Sequence, residues 1–395
     1  MTADKRPVRS GLDVLQEQNF APIAGARAGL LVNQASVNGS LEHAADIFGR
    51  QKNIRLAALF GPQHGIHGTT QDNMIEWEGF RDERLGVPAH SLYGRHRKPT
   101  DAMLKGIDTL VADLPDIGSR YYTFVWTAKL CMEACAGKGI RMVVLDRPNP
   151  IGGDIVEGPS LNPAFRSFVG LSPVAVRHGL TLGEMLTLIN REEKIGCSLE
   201  VIRADGWQRE MDFAATGLPW VLPSPNMPTP DTALVYPGGC LLEATNISEG
   251  RGTCRPFELL GAPFIDPYRL IDRLKGFCLP GLFFRPAWFQ PTFHKHAGQN
   301  CAGVQVHVIE PHAFRPVWTY AVLIHSIKAL YPASFQWKSP PYEYEHEKMP
   351  IDILWGDESL RQTVDAGKSL DAIREKIGRE GEEFLSARGQ YLLYP

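Results

Sequence analysis

Five short apolar runs, at 28–32, 54–60, 107–114, 141–145 and 199–202, constrain this chain more than any other feature. Each is close to continuously apolar rather than alternating. The segments at 41–51, 123–137 and 182–195 carry helical spacing, with Asn38 and Ser40 available to cap the first and Thr181 with Glu184 able to form a capping box on the third. Continuous hydrophobicity in a strand means that both of its faces are dry. Strands of that kind separated by helices predict a mainly parallel sheet covered on both sides, a doubly wound, Rossmann-like α/β domain. In such sheets ligands bind outside the carboxyl ends of the strands.

Those ends are polar. The second run stops at Gly61-Pro62 and opens a loop, Gln63-His64-Gly65-Ile66-His67-Gly68, whose glycines let backbone approach a ligand and whose amide and imidazoles can bond to it. Residues 69–76 are too many and too polar for a minimal turn, so the segment is expected to fold over a site as a lid. The other ends carry Asn33, then Asp116 with Arg120 and Tyr122, then Asp146 with Arg147 and Asn149. Recurrence at several strand ends predicts one shared pocket.

At 395 residues the chain fits two domains, a catalytic one at 1–235 and an auxiliary one at 236–395 that contributes to the site, joined near the proline-dense 222–230 stretch. The second half, with strands expected at 286–293 and 305–308 and a helix at 317–330, reads as mixed α/β. A net charge of -3 argues against nucleic-acid or anionic-lipid partners. No apolar run is long enough to span a membrane. The start, Met1-Thr2-Ala3-Asp4-Lys5-Arg6-Pro7, lacks an apolar h-region, so the expected location is cytoplasmic. Seven cysteines at irregular spacing are unlike a disulfide framework, and Cys131 with Cys135 reads as buried free thiols. Neither Gly-x-Gly-x-x-Gly nor a Walker motif occurs, which removes the cradle for a nucleotide cofactor, and there is no Gly-x-Ser-x-Gly elbow. His64 with His67 and His294 with His296 lack a carboxylate at fixed spacing, so no metal is assigned. Residues 236–253 form a second polar cluster, with Glu243, Asn246, Glu249 and Arg251 among glycines. The aromatic stretches 288–293 and 342–344 fit sugar stacking or core packing.

The ordered series Gly61-Pro62-Gln63-His64-Gly65, Asp116-Ile117-Gly118-Ser119-Arg120-Tyr121-Tyr122, Leu145-Asp146-Arg147-Pro148-Asn149-Pro150, Val156-Glu157-Gly158-Pro159, Ser224-Pro225-Asn226-Met227-Pro228 and Leu242-Glu243-Ala244-Thr245-Asn246 with Gly250-Arg251-Gly252-Thr253 resembles the exo-β-N-acetylmuramidase family of NamZ type. The resemblance implies a Rossmann-like catalytic domain and a smaller auxiliary domain. It also implies removal of N-acetylmuramic acid from non-reducing ends of peptidoglycan fragments, without cofactor or metal. With no signal segment, the implied substrate is recycled muropeptide. Where the family's motif is expected to read Gly-Pro-Glu-His-Gly, with that glutamate a proposed catalytic residue, this chain has Gln63. An amide cannot exchange a proton as a carboxyl does.

Glycoside hydrolysis needs an acid for the leaving oxygen, although a 2-acetamido group can replace the nucleophile. Glu243 is the first candidate acid, because it follows Leu241-Leu242, where desolvation would raise its pKa. Glu249 follows, with Asp116 and Glu76 in reserve, and His64 is expected to orient the acid or shuttle a proton. Gln63 is assigned to the acetamido group, Arg120 or Arg251 to the lactyl carboxylate, and Asp146, Asn149, Asn226 and Asn246 to hydroxyls. Asn33, Asp116 and Tyr122 complete the expected pocket. Two alternatives stay open: a sugar-binding homologue without hydrolase activity, and a hydrolase or transferase of another small acidic metabolite.

Overall fold

The computed structural model describes residues 7–395, so the start at 1–6 lies outside the described residues. The strands in chain order are β1 Arg27–Val32, β2 Arg55–Gly61, β3 Phe80–Asp82, β4 Val87–Ser91, β5 Thr109–Asp113, β6 Arg141–Leu145, β7 Glu157–Ser160, β8 Ala175–Arg177, β9 Leu199–Ile202, β10 Leu259–Ala262, β11 Leu282–Phe289 and β12 Cys301–Val308. A seven-stranded sheet in the order β3-β4-β2-β1-β5-β6-β9 organises the first half. Its ladders are parallel except for β3 against β4. All the apolar runs read from the sequence become strands of this sheet. The strands that reading missed, β3 and β4, are short, not continuously apolar, and at one side.

Alternate side chains of one strand enter different cores. Leu30 and Val32, Val111, and Val143 and Leu145 pack towards helices Gly11–Glu17 and Ala44–Gly49. Leu31, Leu110 and Ala112, and Met142 and Val144 pack on the other face, towards helices Phe124–Ala136 and Leu182–Glu192. That double burial is why the strands are apolar at successive positions. Each fully buried Leu or Val contributes about 1.5–3 kcal/mol, so a charge in the middle of β1 or β5 would break the layer.

Local chemistry sets the helix ends. The first of the helices expected from the sequence begins at Ala44, later than its spacing suggested, because Leu41 is left-handed (φ 64°) and the Asn38 side-chain Oδ1 accepts from the N–H groups of Ser40 and Glu42 at 3.0 and 2.9 Å. Asn38 therefore makes a turn, and His43 Nδ1 caps the helix by accepting from Ala45 N–H at 3.2 Å. Thr181 and Glu184 form the reciprocal capping box, and their helix ends at Glu192.

The second half opens with helix Pro230–Gly239 and a single tight turn, Cys240–Ala244, followed by an antiparallel sheet in the order β10-β12-β11. Helix Pro316–Leu330 lies in the same core as the large sheet's outer helices, with Trp126, Leu241, Tyr320 and Trp355 in one continuous cluster. Helix Asp371–Arg388 returns to pack on β7. Trp288 joins neither core nor pocket: it is 62% exposed, with its ring 6.1 Å from that of Tyr268. Among the described residues no helix is long and apolar enough to cross a membrane. The cysteines are free, with Cys131 and Cys135 buried.

Candidate active site

Where β2 ends, His64 and Gly65 take left-handed backbone (φ 69° and 81°), and the turn sends the Gln63 side chain inward. It enters a pocket whose wall also includes His64, Asn73, Tyr121, Asn226 and Arg251, and which Tyr342 and Glu343 close from the other half of the chain. The hydroxyl of buried Tyr121 has no hydrogen-bond partner among the described residues.

Gln63 is held at both ends of its amide. Thr123 Oγ1 donates to its oxygen at 2.6 Å, and its nitrogen lies 3.1 Å from the Tyr93 hydroxyl, 3.3 Å from Glu343 Oε1 and 3.4 Å from Asn73 Oδ1. Tyr93 in turn donates to Glu343 Oε2 at 2.8 Å and receives the N–H of Met74 at 3.1 Å. Glu343 is buried, and burial pushes its carboxyl up to about 7, further raised by the charge of Glu243 and opposed by the bonds from Tyr93 and Gln63.

Segment 69–76 does lie over this site. Thr70 carbonyl accepts from His64 Nδ1 at 2.7 Å, Gln71 carbonyl accepts from Asn226 Nδ2 at 2.8 Å, and Asn73 Nδ2 donates to Glu243 Oε2 at 2.8 Å. A carbonyl only accepts, so Nδ1 of His64 carries the hydrogen. Burial pushes that imidazole down to about 4, which leaves it neutral near pH 7 and fastened to the lid. The pocket is narrow, about 30 Å³, with room for a few waters.

Behind the wall stands a buried charge cluster. Arg251 Nη2 reaches Glu243 Oε1 at 2.6 Å, and its Nε lies 3.3 Å from Glu249 Oε1. Lys295 Nζ meets Glu249 at 2.8 Å and His294 Nδ1 lies 3.2 Å from it. The raised pKa expected for Glu243 is not what the surroundings produce. Burial pushes it up, but the Arg251 guanidinium and the 2.6 Å bond from the Tyr342 hydroxyl hold it below the usual carboxylate range. Glu249 is likewise held low: burial opposes, and Lys295, His294 and Arg251 win. Neither carboxylate lines the pocket, whereas Arg251 does.

Of the residues singled out in the sequence, Gln63, His64, Tyr122, Asn226 and Arg251 share this pocket. Asp116 lies against a neighbouring apolar hollow with Arg147 and Trp220, its Oδ2 3.2 Å from His178 Nε2. The others serve the fold. Arg120 is wholly buried and donates from its two Nη groups to the carbonyls of Pro159, Val174, Leu354 and Trp355, tying β7 and the start of β8 to helix Pro350–Trp355, and its Nε is enclosed as well, so no part of it is open to a substrate carboxylate. Asp146 accepts from Thr181, Gly183 N–H and Tyr394. Asn149 donates to Leu180 carbonyl, Asn33 to Pro223 carbonyl and Asn246 to Ser334 carbonyl. Glu76 sits at the rim, 3.3 Å from the Tyr344 hydroxyl. Glu343, Asn73, Tyr93 and Tyr342 went unselected. The one available signal was a carboxyl between two tyrosines at 342–344, a stretch read for its rings alone.

The comparisons with known proteins agree with this architecture. Family models described as exo-beta-N-acetylmuramidase NamZ match residues 28–231 (N-terminal) and 234–394 (C-terminal). The peptidoglycan beta-N-acetylmuramidase NamZ of Bacillus subtilis (strain 168) is 44% identical over 393 residues, covering 100% of this chain and 93% of that protein. Two crystal structures of DUF1343 family proteins from Bacteroides fragilis NCTC 9343 superpose with TM-scores of 0.89 and 0.76 at 33% and 28% identity, each over 98% of this chain and 99% of the other. Matched through both of its regions and along the full length of a relative, this chain belongs to the exo-β-N-acetylmuramidase NamZ family.

Proposed function

We propose that this protein is a glycosidase that removes N-acetylmuramic acid from the non-reducing ends of peptidoglycan fragments. The observation that supports this reading is Arg251: a guanidinium kept charged by Glu243 and Glu249 behind it, with its remaining edge on a pocket of amides and hydroxyls. A lactyl carboxylate is the group that separates muramic acid from other hexosamines, and a buried arginine is suited to it. Asn226, Asn73 and the unpartnered Tyr121 hydroxyl supply bonds for ring hydroxyls and the acetamido group. Glu243 and Glu249 act through Arg251 as positioning groups, and His64 fastens the lid.

Incubation with defined fragments tests this. Muramic acid is expected to be released from muramyl-terminated fragments and no sugar from glucosaminyl-terminated ones, followed by mass spectrometry. Arg251→Lys should raise KM for the muramyl substrate far more than it lowers kcat. One observation, the amide at position 63, favours a second reading in which the pocket holds the sugar without cutting it. That reading predicts a ligand-induced rise in melting temperature with no product.

A further inference from the structure

We propose that Glu343, from the second half of the chain, is the acid that protonates the leaving oxygen, with Gln63 as its positioning residue. This rests on the glycosidase reading above. Among the described residues that line the pocket, Glu343 is the only one with a carboxyl group. Its Oε1 lies 3.3 Å from Gln63 Nε2, one hydrogen-bond length from where a carboxyl at position 63 would stand. The proton source is thus displaced across a single contact.

The surroundings aim that carboxyl. Glu343 and Tyr344 both hold left-handed backbone (φ 45° and 66°), a conformation that residues with a Cβ adopt only when neighbours enforce it. The enforcement comes from the tight turn itself, closed by reciprocal backbone bonds of 2.9 Å between Tyr342 and Glu345, and Arg97 packs beside it with its guanidinium 4.2 Å from the Tyr93 ring and 4.1 Å from the Tyr344 ring. Hydrogen counting completes the picture. Tyr93 spends its hydrogen on Oε2, so the acidic proton belongs on Oε1. Gln63 Nε2 has two hydrogens and three acceptors within reach, Tyr93, Asn73 and Oε1. Once Oε1 is protonated, those hydrogens go to Tyr93 and Asn73, and the Oε1 hydrogen is left to the pocket's occupant.

Charge follows the same division. Tyr93, Gln63 and Arg97 favour the ionised form of Glu343, while burial and the Glu243 charge favour the neutral one. Neighbouring carboxyls are thereby kept in opposite states, Glu243 ionised and Glu343 able to hold a proton. With no second carboxylate on the wall, the nucleophile is the substrate's own acetamido oxygen. That oxygen bonds to C1 as the C1–O bond breaks. The leaving oxygen keeps the bonding pair and takes the proton of Glu343. Water then adds to C1 of the oxazolinium, its proton passes to the Glu343 carboxylate, and the acetamide re-forms, so that one water is consumed.

The test uses the full chain and two substrates, the β-1,4 disaccharide of N-acetylmuramic acid with N-acetylglucosamine, and 4-nitrophenyl β-N-acetylmuramide, whose leaving group departs without a proton. Glu343→Gln is expected to lower disaccharide cleavage by about 10²–10⁴-fold, with single-turnover nitrophenolate release falling less than about tenfold. The exchange Gln63→Glu with Glu343→Gln should recover at least tenfold of the lost disaccharide activity, and thermal melting should show all variants folded. Retained disaccharide activity in Glu343→Gln, or equal loss on both substrates without recovery in the exchange variant, overturns the assignment alone. A wild type that cleaves neither substrate overturns the glycosidase reading beneath it as well.

Discussion

Glu243 and Arg251 meet at 2.6 Å with both side chains almost wholly enclosed, and the arginine alone touches the pocket. Removing the cation leaves the Glu243 and Glu249 carboxylates short of compensation. Arg251→Met is therefore expected to cost about 3–5 kcal/mol in urea unfolding at pH 7, and Arg251→Lys to recover part of it. Because both carboxylates are held below their ordinary value, their contribution is present above the unfolded pKa and lost as pH falls through the folded one. Wild type should accordingly lose more stability than Arg251→Met between pH 5 and pH 3.

Glu343 has the opposite sign. Its folded pKa, near 7, is above the ordinary value of 4.5, so the stability it confers is complete below 4.5 and disappears as pH rises through about 7. Glu343→Gln should thus gain on wild type as pH rises from 5 to 8, by about 3 kcal/mol at most. Parallel urea titrations at several pH values would read this, and a constant difference would contradict it.

Asp146 is a structural anchor. The Tyr394 hydroxyl donates to its Oδ2 at 2.6 Å from the last turn of the chain. Tyr394→Phe removes that bond within a buried set and is expected to cost about 1–3 kcal/mol, with kcat/KM on the muramyl disaccharide unchanged. A fall in kcat/KM at intact stability would place Asp146 back among substrate contacts.

Asn73 bridges Gln63 on the sheet side to Glu243 on the other. Asn73→Ala should reduce kcat/KM by about 10–100-fold, the equivalent of one or two lost hydrogen bonds in a dry site. Global unfolding should hardly change, because 69–76 carries no helix or strand. Limited proteolysis within 69–76 should quicken in the variant.

The sheet was legible because burial on both faces is written into each strand as successive apolar residues, as at 28–32 and 141–145. β3 and β4 carry no such mark. Gln63, His64, Asn226 and Arg251 could be picked out because each is polar beside glycine or proline. Asn149 carries the same mark, and Arg120, Asp146 and Asn246 stood out only as polar residues after an apolar run or within a polar cluster, yet all four bond within the fold. A polar side chain at a strand end bonds a backbone carbonyl, a cap or a neighbouring hydroxyl as readily as a ligand, and composition does not separate these cases. Glu343 was passed over for another reason: its contact in the pocket, Gln63, lies 280 residues away.

That separation bears on when the protein becomes competent. A chain still leaving the ribosome carries Gln63 long before it carries Glu343, 280 residues further on. Copies that end before Tyr342 would lack one side of the cleft, so its two walls meet only in molecules that carry both halves.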